Sequence, residues 1–195
     1  MGDVAAAEPS IAVAALRRAG KTVAVAESLT GGLVTAALTS VPGASAVIRG
    51  GVVAYATDLK ATLAAVPHDI LDRDGPVARS TAAAMARGVR TVCDAAYGVA
   101  TTGVAGPESQ GGHPPGTVYV AVASGSAVRV RSARPDGDVG DRDAVRRQAV
   151  GMALALLTEV IEDDARHIGN PDRPRCVDTT CAEPLSARRG RGGTV

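Results

Sequence analysis

Four stretches of this chain carry side chains able to do chemistry, three beside strand-like runs and one at the start of a helix. In Ala26-Glu27-Ser28-Leu29-Thr30-Gly31-Gly32 a buried strand ends and a helix begins. This junction places Ser28 at the carboxyl edge of a sheet, with the backbone N–H groups of Thr30, Gly31 and Gly32 expected to be unpaired and convergent. Such a spot suits a phosphate or a developing oxyanion, and a nucleophilic serine beside it. The plainer role is an N-cap, the Ser or Thr hydroxyl satisfying helix amides. In Tyr55-Ala56-Thr57-Asp58-Leu59-Lys60, Tyr55 is expected to close a strand and Lys60 to sit in the first turns of the next helix. The chain has 19 Arg and two Lys, so its cations are nearly always Arg. Arginine keeps its proton in a protein, whereas a desolvated lysine can lose it and act as a base. The plainer alternatives are a solvated Lys60 and a core Tyr55 with a satisfied hydroxyl. Lys21, between a helix stop and a strand, reads as structural.

The third stretch runs from Thr101-Thr102-Gly103-Val104-Ala105-Gly106-Pro107 to Gly116-Thr117. Its glycines, Gly103 and Gly106 among them, let backbone approach a ligand closely, or make a long surface loop. It fits neither GxGxxG nor GxxxxGK[ST], which counts against dinucleotide and ATP sites. The fourth, Gly140-Asp141-Arg142-Asp143, opens the last helix. An aspartate suits a helix N-terminus; Arg142 does not, which points to an anion there or to a surface ion pair. His68, His113 and His167 have no partner motif, with His68 read as a loop or helix-start residue. Cys176 and Cys181 do not make a zinc spacing with His167, so no metal is expected. Cys93 reads as a small core residue.

The elements that must position these residues alternate. A helix spans IAVAALRRA after Ser10 and stops at Gly20. Strands are predicted at 22–26, 50–55, 95–103 and 116–124, with an edge strand at 127–133. Helices are predicted at 31–41, 57–66, 78–93 and 141–164. This order predicts a three-layer α/β/α sandwich around a mixed β-sheet. Residues 165–195 hold six Arg and three acidic residues, net +3, and read as a disordered Arg/Pro/Gly-rich tail after a domain of residues 1–164 with net −2.

The chain has 195 residues, 46% hydrophobic, with no Phe or Trp, three Tyr and 38 Ala. Close packing of Ala, Val and Leu must therefore replace large side chains. A formal charge of +1 and few aromatics argue against a dedicated nucleic-acid binder. No apolar run nears the ~18 residues of a membrane span. MGDVAAAEPS is acidic without a basic start, so no secretory leader is expected, and three Cys make no disulfide framework. The expectation is a soluble, cytoplasmic α/β protein.

Taken together, AESLTGG (26–32), SVPGAS (40–45), RGGVVAY and Lys60 (49–60), TGVAGP (102–107), GTVY (116–119) and GDRDAVRRQA (140–149) resemble the CinA C-terminal domain family, which includes PncC-type nicotinamide-nucleotide amidases. Each motif is weak, but the ordered set, over roughly residues 8–162, is specific. The resemblance implies an α/β/α sandwich that hydrolyses the amide of nicotinamide mononucleotide (NMN) to nicotinate mononucleotide and ammonia. It implies a homo-oligomer, often a dimer, and no cofactor. It carries the nucleophile onto Ser28, assistance onto Lys60 and Tyr55, and support onto Thr102 and Arg142. The resemblance covers only the amidase-type portion, so the separate N-terminal domain of full-length CinA is not expected here.

The sequence departs from the family pattern in places. Tyr55-Ala56-Thr57 stands for Tyr-Ser-Asn, Val77-Ala78 for Val-Ser, Asp74 for a His and His113 for a Lys. These changes imply altered small polar groups near the base. On this reading a neutral Lys60 takes the Ser28 proton, Ser28 attacks the carboxamide, Tyr55 shares the relay and Arg142 holds the nucleotide's anion. The alternative is a catalytically inactive nucleotide-binding or interaction module that keeps the pocket.

Overall fold

Three central strands point successive side chains to opposite faces of the sheet, with valines on one face and alanines on the other, and this period-two pattern builds its two faces. In the computed structural model, which describes residues 8–125, 127–134 and 141–168, they are β1 (Val23–Glu27), β3 (Tyr97–Gly103) and β4 (Val118–Ala123). Val23, Val25, Val99, Val118, Val120 and Val122 face one layer; Ala24, Ala26, Ala100, Ala121 and Ala123 face the other. With β2 (Ile48–Val53) and β5 (Val128–Ala133) the sheet order is β2-β1-β3-β4-β5. β1 runs parallel to both β2 and β3, while β4 and β5 are antiparallel to their neighbours. The sheet is thus mixed and helices cover both faces, as the sequence predicts.

The valine face packs under α1 (Pro9–Ala19), α2 (Leu33–Thr39) and α6 (Arg142–Ile168). The alanine face packs under α3 (Thr57–Ala64), α4 (His68–Asp74) and α5 (Arg79–Val92). Small residues let α5 lie almost on backbone. A Cβ on Gly98 would meet the Ala86 carbonyl oxygen at 2.0 Å, and one on Gly88 would meet that of Ala64 at 1.7 Å. Backbone proximity here does what large aromatics do elsewhere.

Several boundaries differ from the sequence reading. Ser10 lies inside α1, which Pro9 opens and Gly20 closes at φ +59°. β2 ends at Val53, so Tyr55 lies beyond the strand instead of closing it. α4, not among the predicted helices, begins at His68, which fits the helix-start alternative for that residue. Cys93 lies just past α5 as its C-cap and not inside the helix; it is half-buried against the edge of the alanine-face core, and its carbonyl accepts from Arg49 Nε at 2.9 Å. α6 continues through Ile168, so residues 165–168 belong to a helix and not to the predicted tail. The remainder of that tail, 169–195, lies outside the described residues, as do Cys176 and Cys181. No helix among the described residues is long and apolar enough to cross a membrane.

Candidate active site

β1 is the central strand of the parallel trio, and its carboxyl end gathers the site. In register, Glu27 pairs with Val53 on one side and with Thr101 on the other. The next residue of each strand then meets at the sheet edge: Ser28, Ala54 and Thr102. The pairing runs one step past the strands, because Ser28 N–H donates to Thr101 O at 3.0 Å and Ala54 N–H to Glu27 O at 2.8 Å. A parallel sheet whose first strand has neighbours on both sides opens a crevice at this point.

Lys60 is buried, 2% exposed, although it sits one turn into α3. Its side chain turns back over the sheet edge. Nζ donates to Ser28 Oγ at 2.9 Å and to Ala54 O at 2.9 Å. Burial lowers its pKa from 10.5 to about 8, because the charged ammonium loses water. Ser28 is 8% exposed. Among the described residues no carboxylate bonds to the amine, so desolvation acts without an opposing ion pair.

Ser28 and Lys60 line a cleft of about 470 Å³ together with Tyr55, Thr57, Thr102, Gly103, Gly106 and Arg142. Gly103 is required by close approach: a Cβ there would lie 2.3 Å from Thr117 O. Thr102 donates to Pro76 O at 2.6 Å and so fixes the wall formed by Pro76 and Val77. Tyr55 is 57% exposed. Its hydroxyl accepts from Arg142 Nη2 at 2.7 Å, while Arg142 Nη1 donates to Gly106 O at 2.6 Å. Tyr55 is therefore tied to Arg142 at the rim and makes no hydrogen bond to the Ser28–Lys60 pair. Asp141, not Arg142, serves the N-terminus of α6, accepting from Ala144 N–H at 2.7 Å.

The structure does not bring Thr30, Gly31 and Gly32 to the cleft, contrary to the sequence reading. Gly31 N–H donates to Ser28 O at 3.0 Å, and Gly32 N–H donates to the Glu27 carboxylate at 2.9 Å. Thr30 Oγ1 bonds Thr101 Oγ1 at 2.7 Å in the interior. The helix N-terminus expected to receive a substrate anion is filled by the protein's own Glu27. That residue was not singled out from the sequence, nor was Arg146, which contacts the carbonyls of Leu29 and Thr30. The available signal for Glu27 was an acid ending an apolar strand just before a helix that starts on glycine.

The family-departing positions are also placed differently than expected. Thr57 and Val77 line the Ser28 cleft, but Asp74, Ala78 and His113 line an adjoining open hollow of about 600 Å³ that shares Val77. Asp74 there accepts from Ser80 Oγ at 2.6 Å and from Arg73, which hold its carboxyl down to about 2. These changes alter a neighbouring surface more than the surroundings of the base. Among the described residues no group of three or more His, Cys, Asp or Glu side chains could hold a metal.

The sequence pattern of the CinA C-terminal domain matches residues 6–161. This chain belongs to the CinA C-terminal domain family. A CinA-like protein of Frankia casuarinae is 49% identical over 140 residues, which are 72% of this chain and 32% of the relative. A putative competence-damage inducible protein of Geobacillus kaustophilus is 43% identical over 151 residues, 76% of this chain and 36% of the relative. The chain thus spans about a third of the length of these curated relatives. Among solved structures, a CinA superfamily protein of Klebsiella pneumoniae aligns with TM-score 0.75 at 31% identity, covering 80% of this chain and 96% of that one. The competence/damage inducible protein CihA of Agrobacterium tumefaciens aligns with TM-score 0.73 at 34% identity, covering 83% and 97%. The CinA fold therefore accounts for the α/β/α sandwich described above.

Proposed function

We propose that this CinA-family domain is a serine amidohydrolase that converts NMN to nicotinate mononucleotide and ammonia. The observation that carries this reading is the buried Lys60 amine 2.9 Å from Ser28 Oγ inside a cleft. An amide is a poor electrophile, so its hydrolysis needs an activated nucleophile and stabilisation of the oxyanion. Once Lys60 has lost its extra proton, one N–H still donates to Ala54 O and the lone pair faces the Ser28 hydroxyl. Lys60 then takes the Ser28 proton as Oγ bonds to the carboxamide carbon. The resulting ammonium returns a proton to the amide nitrogen, the C–N bond breaks, and ammonia leaves an ester on Ser28. Water attacks that ester, gives its proton to Lys60 and releases the acid, and Ser28 recovers its proton. The route uses no metal and no diffusible cofactor.

Leu29 lines the cleft, and its N–H, next after the nucleophile, donates to no protein group among the described residues. It is the amide offered to the developing oxyanion. Arg142 spends two N–H groups on Gly106 O and Tyr55 Oη, which orients the guanidinium and leaves further donors for the ribose phosphate. Tyr55 thereby supports substrate binding instead of relaying the serine proton.

Incubation with NMN and measurement of ammonia tests the reading. The protein should release one ammonia for each nicotinate mononucleotide formed, and Ser28→Ala should abolish release without changing the circular dichroism spectrum. Absence of release from the unaltered protein, with NMN bound at the cleft, would favour the non-catalytic nucleotide-binding reading.

A further inference from the structure

The turn that carries Ser28 is held at its end and in its middle by two charged side chains that do not line the cleft. Glu27, the last residue of β1, is fully buried at the end of an otherwise apolar strand. A carboxylate there is tolerated only if its oxygens are filled. Oε2 accepts the N–H groups of Gly32 at 2.9 Å and Val34 at 3.0 Å. Oε1 accepts Thr35 N–H at 2.8 Å and Thr35 Oγ1 at 2.7 Å. Gly32, the N-cap residue of α2, has no side chain to do this work. The cap comes instead from the residue immediately before the nucleophile, so the start of α2 is tied to the chain on the far side of Ser28.

Arg146, on α6, treats the same turn with the opposite polarity. Its Nε donates to Leu29 O at 3.1 Å and its Nη2 to Thr30 O at 3.0 Å. Within the turn, Gly31 N–H closes on Ser28 O at 3.0 Å. The acid takes amides at the turn's end and the guanidinium takes carbonyls in its middle. A fork held on two successive carbonyls fixes orientation as well as distance.

We propose that Glu27 and Arg146 are positioning residues for Ser28, a brace that holds its Oγ in line with the Lys60 amine. This inference rests on the Ser28–Lys60 nucleophile proposed above, but not on NMN being its substrate. Neither residue lines the cleft: Glu27 acts through the amides of Gly32, Val34 and Thr35, and Arg146 through the carbonyls of Leu29 and Thr30. A geometry-dependent proton transfer loses rate steeply when the reacting atoms are displaced by about an ångström.

The test measures three things on Glu27→Gln, Arg146→Met and Arg146→Lys in the full chain. These are the rate at which a small fluorophosphonate labels Ser28, read by intact mass and peptide mapping; kcat and KM for NMN; and the thermal midpoint. Glu27→Gln turns one acceptor oxygen into a donor facing donors. Its labelling rate and kcat should fall together by tenfold or more, with KM changed less than about threefold. Arg146→Met should lose both rates by about tenfold, and Arg146→Lys, which keeps the charge but not the fork, should recover part of the loss. A merely structural role would lower the thermal midpoint and leave labelling per folded molecule unchanged, and that result overturns the inference. Should Glu27→Gln not fold, Arg146→Met decides, since that side chain is partly exposed. Labelling of Ser28 in the unaltered protein without NMN turnover would remove the substrate reading alone, and the brace is then judged on labelling rates. Absence of labelling in the unaltered protein would overturn both.

Discussion

Replacing Lys60 by arginine, and following the unaltered protein through pH, probes the base directly. With the amine held at about 8, about one molecule in eleven has a neutral Lys60 at pH 7, half at pH 8 and about ten in eleven at pH 9. If the neutral amine is the base, kcat/KM for NMN should climb with unit slope below pH 8 and level off above it, a rise of about tenfold from pH 7 to 9. The substrate phosphate loses its second proton near pH 6 and adds no limb in this range. An arginine at position 60 stays protonated throughout, so Lys60→Arg should be slower by about 10² to 10⁴ and should not recover at pH 9.

Stability gives an independent reading of the same amine. The folded-state pKa lies below the ordinary value of 10.5, so between pH 8 and 10.5 the unfolded chain binds more protons than the native one. Stability should therefore rise with pH across that window, by at most about 3 kcal/mol. Below pH 8 the cost of burying the charged amine is fully present. Lys60→Met should remove this rise in a denaturant titration series. A flat kcat/KM profile from pH 6.5 to 9.5, or a Lys60→Arg enzyme within a few-fold of the unaltered one, would refute the reasoning.

Two further outcomes follow from the rim and the core. Arg142→Ala should raise KM for NMN by about tenfold or more with a smaller change in kcat, and should leave hydrolysis of a nicotinamide riboside without phosphate nearly unaffected, as steady-state kinetics on the two substrates would show. Gly98→Ala puts a methyl 2.0 Å from the Ala86 carbonyl of α5; it should destabilise the fold by about 1–3 kcal/mol and lower the thermal midpoint by about 3–10 °C in a calorimetric scan.

Much of the scaffold is written in the alternation of valine and alanine. VAVA at 23–26 and VYVAVA at 118–123 state both which face is which and that one face must be approached closely. Ser28 and Lys60 are legible for the same reason: each follows a strand of the parallel trio, and parallel pairing brings strand ends together. The short α4, HDILDRD, was not legible, because seven polar-rich residues after a proline carry little periodicity. The strand reading runs two residues past Val53, and the Tyr55 hydroxyl is bonded to Arg142, a partner that the sequence does not indicate. The brace was hidden more deeply. Glu27 serves amides five to eight residues ahead, and Arg146 serves carbonyls more than a hundred residues behind. Backbone groups carry no side-chain signature in a sequence, so what fills them emerges only from coordinates.

The claim that a deprotonated Ser28 attacks the carboxamide is tested most directly by catching the ester. Rapid quenching of the protein with NMN in acid, followed by mass spectrometry of the peptide bearing Ser28, should show a transient nicotinoyl-nucleotide adduct whose formation accompanies the first equivalent of ammonia. Ammonia release at an undiminished rate from Ser28→Ala, with no adduct on that peptide in the unaltered protein, would contradict the account.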